Sequence, residues 1–178
     1  MGAAYNKTSL QALGITHILT AASNLKPRFP DDFKYEILDL LDSPNQNILS
    51  YVDQANKFIN DAFSANVEGE EPKHKVLVHC FAGKSRATSF TLAYMMKERN
   101  IALKEGLELI RKVRPIAAPN PGFMVQLKAL ERNTFGTNSE VEVMQGDWKD
   151  KLDTLVKKKQ DEGVKVNVPT NDVIESRA

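Results

Sequence analysis

Apolar residues fall into two recurring patterns along this chain. Short runs of apolar and β-branched residues that follow turn-forming residues predict strands, and they occur at 16–21, 35–41 and 75–80. Longer stretches in which apolar residues recur every three or four positions predict helices, and they occur at 48–63, 88–99, 103–113 and 122–135. The alternation of strands with helices predicts an α/β fold in which helices pack on a sheet.

The polarity of the chain changes after Phe135. From Gly136 onward there are 7 Lys and Arg against 9 Asp and Glu, and large apolar residues become rare. We therefore expect one domain over residues 1–135 and a polar C-terminal extension over 136–178. Within the extension, apolar residues at helical spacing predict a short amphipathic helix at 147–160. That helix either docks on its own domain, which is the commoner arrangement, or binds a partner.

Charge and cysteine content restrict the class of protein. The 178 residues carry a formal net charge of +1, so no general attraction to nucleic acid or to anionic membranes is expected. The single cysteine excludes an intrachain disulfide, and no apolar run approaches the ~18 residues of a membrane span. Three scattered histidines predict no metal site, and no cofactor is expected. Because the N-terminus does not predict a secretory signal, we expect a cytoplasmic or nuclear protein.

A predicted strand is joined to a predicted helix by the segment His79-Cys80-Phe81-Ala82-Gly83-Lys84-Ser85-Arg86. Backbone N–H groups before a helix can converge on an anion, and Gly83 permits the tight curvature that this requires. The guanidinium of Arg86 can close on the same anion with two hydrogen bonds. Residues 80–86 are therefore predicted to form a phosphate-binding loop, called the phosphate loop below.

Cys80 lies at the start of this loop, where a bound phosphate would be attacked. Thiols beside helix N-termini and cations ionise more readily than free thiols. The thiolate would attack phosphorus to form a phosphocysteine, which water then hydrolyses. Most free cysteines are instead buried structural residues, but the spacing of Cys80 from Gly83 and Arg86 favours a nucleophile. We interpret His79 as a residue that orders the loop.

These residues resemble the dual-specificity branch of the protein tyrosine phosphatase superfamily, whose loop reads H-C-x-x-G-x-x-R-[ST]. The resemblance extends from about residue 2 to residue 135 and includes THIL (16–19), PDDFKYEILDLLDS (30–43) and RPIAAPNPGF (114–123). It implies a protein-tyrosine-phosphatase-like fold with a central, mostly parallel sheet of four to five strands flanked by helices. The similarity is to plant-like members and to members directed at mitogen-activated protein (MAP) kinases. The implied partner is therefore a phosphorylated protein, with a MAP kinase as the candidate.

The resemblance also implies roles for two residues outside the loop. Asp42 matches the family's general acid, and a carboxylic acid is a suitable proton donor to a leaving alkoxide or phenoxide. Asp39 is the alternative for this role. Asn120 resembles the family's buried asparagine that braces the catalytic loop, although an ordinary turn residue is an equal alternative.

Two features depart from the family pattern. The family places Ser or Thr directly after the loop arginine, where its hydroxyl donates to the cysteine sulfur and helps the thiolate to leave. Here that position is Ala87, so we expect slower hydrolysis of the phosphoenzyme; Thr88 would point about 100° away on a helix. The family also has a strand of the type LYLG before the segment that matches residues 2–4. Met1 takes its place here, which predicts that the first strand is missing.

The sequence thus predicts a metal-independent protein phosphatase that hydrolyses phosphotyrosine and phosphoserine or phosphothreonine esters. Two alternatives stay open. Lys84 fits a phosphatase of phosphoinositides or other non-protein esters, although those enzymes tend to carry a second basic residue in this loop. Ala87 and the short start fit a weakly active phosphate-binding or scaffolding module, against which the retained nucleophile, arginine and acid argue.

Overall fold

A computed structural model describes residues 3–66 and 70–141 of the chain. Its three strands are β1 (Ile15–Ala21), β2 (Lys34–Leu38) and β3 (Lys75–His79). Its five α-helices are α1 (Lys7–Ala12), α2 (Val52–Ser64), α3 (Arg86–Arg99), α4 (Leu103–Val113) and α5 (Pro121–Phe135). Short 3-10 turns span Ala3–Tyr5 and Leu49–Tyr51. The predicted α/β class is confirmed, and each of the four predicted helices is present.

The strands form one parallel sheet in the order β2-β1-β3. Leu19 of β1 lies opposite Glu36 on one side and Val78 on the other, so β1 is the central strand. Its last five residues are all buried, as expected for a parallel strand covered on both faces. The sheet of the described residues has three strands, so the expectation of four to five was wrong. In the described residues, the other long apolar stretches have the three-to-four-residue spacing of a helix, and each of them forms a helix.

The main hydrophobic core lies between this sheet and helices α2 to α5. Its fully buried members include Leu19, Leu38, Phe90 and Phe123, which come from four different elements. A smaller cluster of Leu10, Ile18 and Phe33 anchors α1 to the sheet. Helix α1 was not predicted, because six residues with one buried apolar side chain show no helical period. Its sequence signal is the cap Asn6, whose side chain accepts a hydrogen bond from Ser9 N at 2.9 Å.

The connection from β2 to α2 is fixed against the start of α5. Strand β2 ends at Leu38 rather than at the predicted residue 41, although Ser23 N still donates to Leu40 O at 3.0 Å beyond the ends of the two strands. Gln126 of α5 accepts a hydrogen bond from Ile48 N and donates one to Gln46 O, both at 2.8 Å. Gly122 lies so close to the carbonyl of Pro44 that a Cβ atom there would collide with it. This close approach brings the connection, which includes Asp42, to the N-terminus of α5.

Helix α5 ends at Gly136, whose φ of +74° is the left-handed conformation common at helix ends. Residues 137–141 then return to the domain, and Val141 packs against the main core. The helix predicted at 147–160 lies outside the described residues. No helix within the described ranges is both long and apolar enough to cross a membrane.

Candidate active site

The phosphate loop joins the carboxyl end of β3 to the N-terminus of α3, as predicted. Cys80 follows the last residue of β3 and is 7% exposed. The backbone N–H of Gly83 donates to Cys80 Sγ at 3.2 Å, so the loop curls around the sulfur. Gly83 has a φ of +62°, a conformation that residues with side chains rarely adopt. The structure therefore places a thiol beneath a turn of backbone N–H groups, next to a helix N-terminus.

The carbonyl groups of this loop are hydrogen-bonded from outside it. The guanidinium of Arg114 donates to Gly83 O at 2.6 Å and to Ala82 O at 2.7 Å. Ala118 N donates to Lys84 O at 2.9 Å. A Cβ atom at Gly83 would come within 2.8 Å of this guanidinium, so glycine is needed for the approach as well as for the turn. These contacts hold the carbonyls away from the sulfur.

Sequence reasoning did not assign Arg114 to the loop, because basic residues in the last turn of a helix commonly complement its dipole. The available signal was the stretch RPIAAPNPGF, which begins with this arginine.

Arg86, the first residue of α3, reaches towards Asp42. Its side chain is 12% exposed, and Nη1 donates to Leu40 O at 3.3 Å. Nε lies 3.7 Å from Asp42 Oδ2 and has no hydrogen-bond partner among the described residues. A buried guanidinium N–H without a partner is costly, and an anion in the loop would supply one.

Asp42 is bonded to the phosphate loop and to the cap of α5. Its Oδ1 accepts from Ser85 Oγ at 2.7 Å and from Asn120 Nδ2 at 2.8 Å. Ser85 Oγ in turn accepts from Asn120 N at 3.0 Å, while the Asn120 side-chain oxygen accepts from Phe123 N and caps α5. The structure thus brings together Asp42, Ser85 and Asn120 from three separate parts of the chain. The alternative acid, Asp39, has an exposed side chain and meets Tyr51 only through its backbone carbonyl, at 2.9 Å.

His79 directly precedes Cys80 and is hydrogen-bonded to the sheet. Its Nε2 is 2.9 Å from Thr20 Oγ1 of the central strand. Burial lowers the pKa of His79, and a hydrogen bond to the backbone of Cys80 partly opposes this effect. Burial likewise lowers the pKa of Lys84, against the opposing charge of Asp42. The position of His79 fits a residue that orders the loop, whereas Phe81, beside Cys80, is 52% exposed at the surface.

Thr88 does not occupy the place of the hydroxyl that Ala87 lacks. Ala87 is buried one residue after Arg86. The Thr88 hydroxyl donates to Lys84 O at 2.7 Å. It therefore braces the loop from behind, and within the described residues Gly83 N is the donor that meets the sulfur.

Comparisons with known proteins agree with this geometry. The family model for the dual specificity phosphatase catalytic domain matches residues 2–133. The chain belongs to the dual specificity phosphatase family. It carries the catalytic domain of a dual specificity protein phosphatase, so the family resemblance read from the loop is confirmed.

Two similar relatives come from a plant and an amoeba. Dual specificity protein phosphatase 1 of Arabidopsis thaliana is 40% identical over 133 residues, which are 75% of this chain and 64% of that protein. MAP kinase phosphatase with leucine-rich repeats protein 3 of Dictyostelium discoideum is 40% identical over 78% of this chain and 15% of its own length. The chain thus spans about two thirds of one relative and a small part of the other.

A solved structure has the same fold. The human tyrosine phosphatase-like serine/threonine/tyrosine-interacting protein is 31% identical, with a TM-score of 0.65 over 73% of this chain and 87% of that one. The protein-tyrosine-phosphatase-like fold expected from the sequence is therefore confirmed.

The lowered pKa of His79 predicts a loss of stability in mild acid. Because His79 has a lower pKa in the folded protein than the ordinary value of about 6.5, the unfolded chain binds the proton more readily in mild acid. The contribution of neutral His79 to the free energy of unfolding is therefore present above pH 6.5 and is lost as pH falls below it. We expect His79→Gln to flatten the dependence of the free energy of unfolding on pH between 7.5 and 5, as measured by urea titration. Burial also lowers the pKa of His17, so part of the dependence on pH should remain in His79→Gln.

Thr20→Val is the matched control, since it removes the same hydrogen bond but keeps the titrating ring. It should lower stability at every pH and keep the slope. Equal slopes in wild type and His79→Gln contradict the prediction.

Proposed function

We propose that this chain hydrolyses phosphate esters of proteins through a phosphocysteine on Cys80. The observation that carries the proposal is the Gly83 N–H to Cys80 Sγ contact, made inside a loop whose carbonyls at residues 82–84 accept hydrogen bonds from outside the loop. That arrangement would place a hydrogen-bond donor at the attacking sulfur and leave backbone N–H groups for the equatorial oxygens of a phosphoryl group. Arg86 would bind two of those oxygens; its buried Nε, 3.7 Å from Asp42 Oδ2, makes no hydrogen bond within the described residues and is available to one of them.

The first chemical step would transfer the phosphoryl group to sulfur. A bond forms between Sγ and phosphorus while the bond from phosphorus to the ester oxygen breaks, and Asp42 gives its proton to that oxygen. Because Oδ1 of Asp42 accepts both hydrogen bonds from Ser85 and Asn120, Oδ2 is the oxygen that would carry the proton. In the second step Asp42 takes a proton from water, which attacks phosphorus and releases inorganic phosphate and the Cys80 thiolate.

Support for a protein substrate comes from the relatives and from the rim of the loop. Relatives at about 40% identity are named MAP kinase phosphatases, and we extend that substrate class to this chain as a proposal. Beside Cys80 the rim presents the exposed apolar ring of Phe81, which suits a peptide better than a phosphorylated inositol ring. A cytoplasmic or nuclear location, where thiols stay reduced, would suit this nucleophile.

A direct comparison of substrates tests this assignment. The full chain is incubated with a doubly phosphorylated kinase activation-loop peptide and, separately, with phosphoinositide micelles, and released phosphate is measured. We expect kcat/KM to be at least tenfold higher for the peptide, with both phosphotyrosine and phosphothreonine hydrolysed. Higher values for the lipid would favour the non-protein alternative, and no Cys80-dependent release from either would contradict the catalytic mechanism.

The general-acid role predicts a specific effect at Asp42. Asp42→Asn should lower kcat/KM, which reports the steps up to phosphoenzyme formation, by about 10²–10⁴ for an alkyl phosphate such as phosphothreonine, since the leaving alkoxide then lacks a proton donor. The loss should be much smaller for p-nitrophenyl phosphate, whose leaving group needs little protonation. Asp39→Asn is the matched control and should keep activity within about twofold, and Cys80→Ser should abolish it on both substrates. A loss at Asp39 equal to that at Asp42 would reassign the acid.

Ala87 predicts that breakdown of the phosphoenzyme limits the rate. No hydroxyl follows Arg86, and Thr88 is hydrogen-bonded to Lys84 O, so the sulfur leaves with less help in the second step. We expect Ala87→Ser to raise steady-state kcat several-fold and to shrink the burst of p-nitrophenol seen in rapid mixing. Ala87→Thr should act in the same direction, and Ala87→Val, which has the shape of threonine without the hydroxyl, is its matched control. An unchanged rate of phosphoenzyme hydrolysis in Ala87→Ser would show that the position is not limiting.

A further inference from the structure

Residues 137–141, which we call the strap, are attached to α5 far along the chain from the phosphate loop. The backbone N–H of Ser139 donates to Glu131 Oε2 at 2.7 Å, and its hydroxyl donates to Glu131 Oε1 at 2.6 Å. Lys128 Nζ donates to Val141 O at 3.2 Å, and the Val141 side chain packs on the main core. Ser139 thus supplies two of the hydrogen bonds that hold the strap in place.

The acceptor of those bonds is a buried carboxylate. Glu131 is 1% exposed, and its third hydrogen bond comes from Leu103 N, the first residue of α4, at 2.8 Å. A buried charge is tolerated only when its oxygens are hydrogen-bonded. Glu131 therefore links α4, α5 and the strap, and this link depends on the donors of Ser139.

The strap also forms one wall of a cavity of about 590 Å³. Glu140 and Val141 of the strap face α4 and α5 across it, and the other walls carry the basic side chains of Lys104, Arg111 and Lys128 together with the acidic Glu108. Leu107, which is buried while the strap is in place, also lines this cavity. Movement of the strap would therefore open a basic and partly apolar surface.

The sequence around Ser139 has the pattern of a kinase substrate. Glu140 and Glu142 follow it by one and three positions, which is the charge pattern that acid-directed serine kinases select. We propose that Ser139 is a phosphorylation site whose modification releases the strap from Glu131. In that step the γ-phosphoryl group of ATP moves to Ser139 Oγ: an O–P bond forms, the bond to the bridging oxygen of ADP breaks, and the hydroxyl proton is released.

The release follows from the chemistry of the contact. The modified side chain has no hydroxyl proton to donate, and it places a charge of about −1.5 to −2 beside the Glu131 carboxylate. Like charges at hydrogen-bond distance in a buried site repel strongly. The strap then leaves and takes its backbone N–H with it, so Glu131 keeps only the hydrogen bond from Leu103 N.

The first part of the test locates the phosphate. The full chain, in a Cys80→Ser background so that its own activity cannot remove the phosphate, is incubated with ATP and a serine kinase that requires an acidic residue three positions after the serine. Mass spectrometry should place the phosphate on Ser139, and Ser139→Ala should remove it. Ser50→Ala is the matched control, because Asp53 follows Ser50 at the same spacing. Since Ser50 lies in a 3-10 turn and should stay unmodified, Ser50→Ala should take up as much phosphate as the parent chain. Failure to modify Ser139 would overturn the assignment of the site.

The second part measures the strap directly. Phosphoserine is installed at position 139 of the same full chain by genetic encoding, and amide hydrogen exchange is compared with the unmodified protein and with Ser139→Ala. We expect at least tenfold faster exchange at the Ser139 amide in the phosphoserine protein, and a smaller increase in Ser139→Ala, which loses one hydrogen bond without gaining charge. If Lys128 bound the phosphate and kept the strap in place, exchange at the Ser139 amide would be unchanged or slower. That result would overturn the proposal.

Discussion

The carbonyl groups of residues 82–84 impose the constraint on which the site depends. A loop that directs its N–H groups inward to an anion must direct its carbonyls outward, and each of these needs a donor elsewhere. Arg114 supplies donors to Ala82 and Gly83, while Ala118 N and the Thr88 hydroxyl supply them to Lys84. The segment that follows α4 therefore holds the phosphate loop in shape, although it lies about 30 residues further along the chain. The stretch RPIAAPNPGF serves both ends of the site, since it starts with Arg114 and includes Asn120.

A second consequence is that Asp42, the proposed general acid, is positioned before any substrate arrives. Asp42 belongs to a connection that is held from α5 by Gln126 and by the close approach of Gly122 to Pro44. Its Oδ1 is then fixed by Ser85 and Asn120, so the loop, the acid and the helix cap share one set of hydrogen bonds. Catalytic groups that are held in place in this way need less reorganisation when charge develops on the substrate.

The sequence was a good guide where a short range of residues decides the structure. The helices over 103–113 and 122–135 and the strand that ends before Cys80 follow from periodicity alone, and Cys80, Gly83 and Arg86 stand close together in the chain. The sequence was a poor guide where the residues in contact are not related by a regular spacing along the chain. Nothing in the spacing of Arg114 shows that its guanidinium turns back onto Ala82, or that Glu131 is buried under Ser139, because such contacts depend on how α4 and α5 pack. The strand count was overestimated because it was taken from the family resemblance, whereas the described residues contain three strand-like runs, all of which form the sheet.

The same hydrogen bonds explain why the hydroxyl lost at Ala87 is not recovered from its neighbour. Lys84 O accepts from both Ala118 N and Thr88 Oγ1. Turning Thr88 towards the sulfur would remove one of these bonds from a loop that must stay rigid, and the helix directs the side chain about 100° away from that of Ala87. Thr88 is thus committed to the shape of the loop. In the proposed mechanism, binding of phosphate and formation of the phosphocysteine would use groups that are all present, whereas departure of the thiolate would rely on the Gly83 N–H.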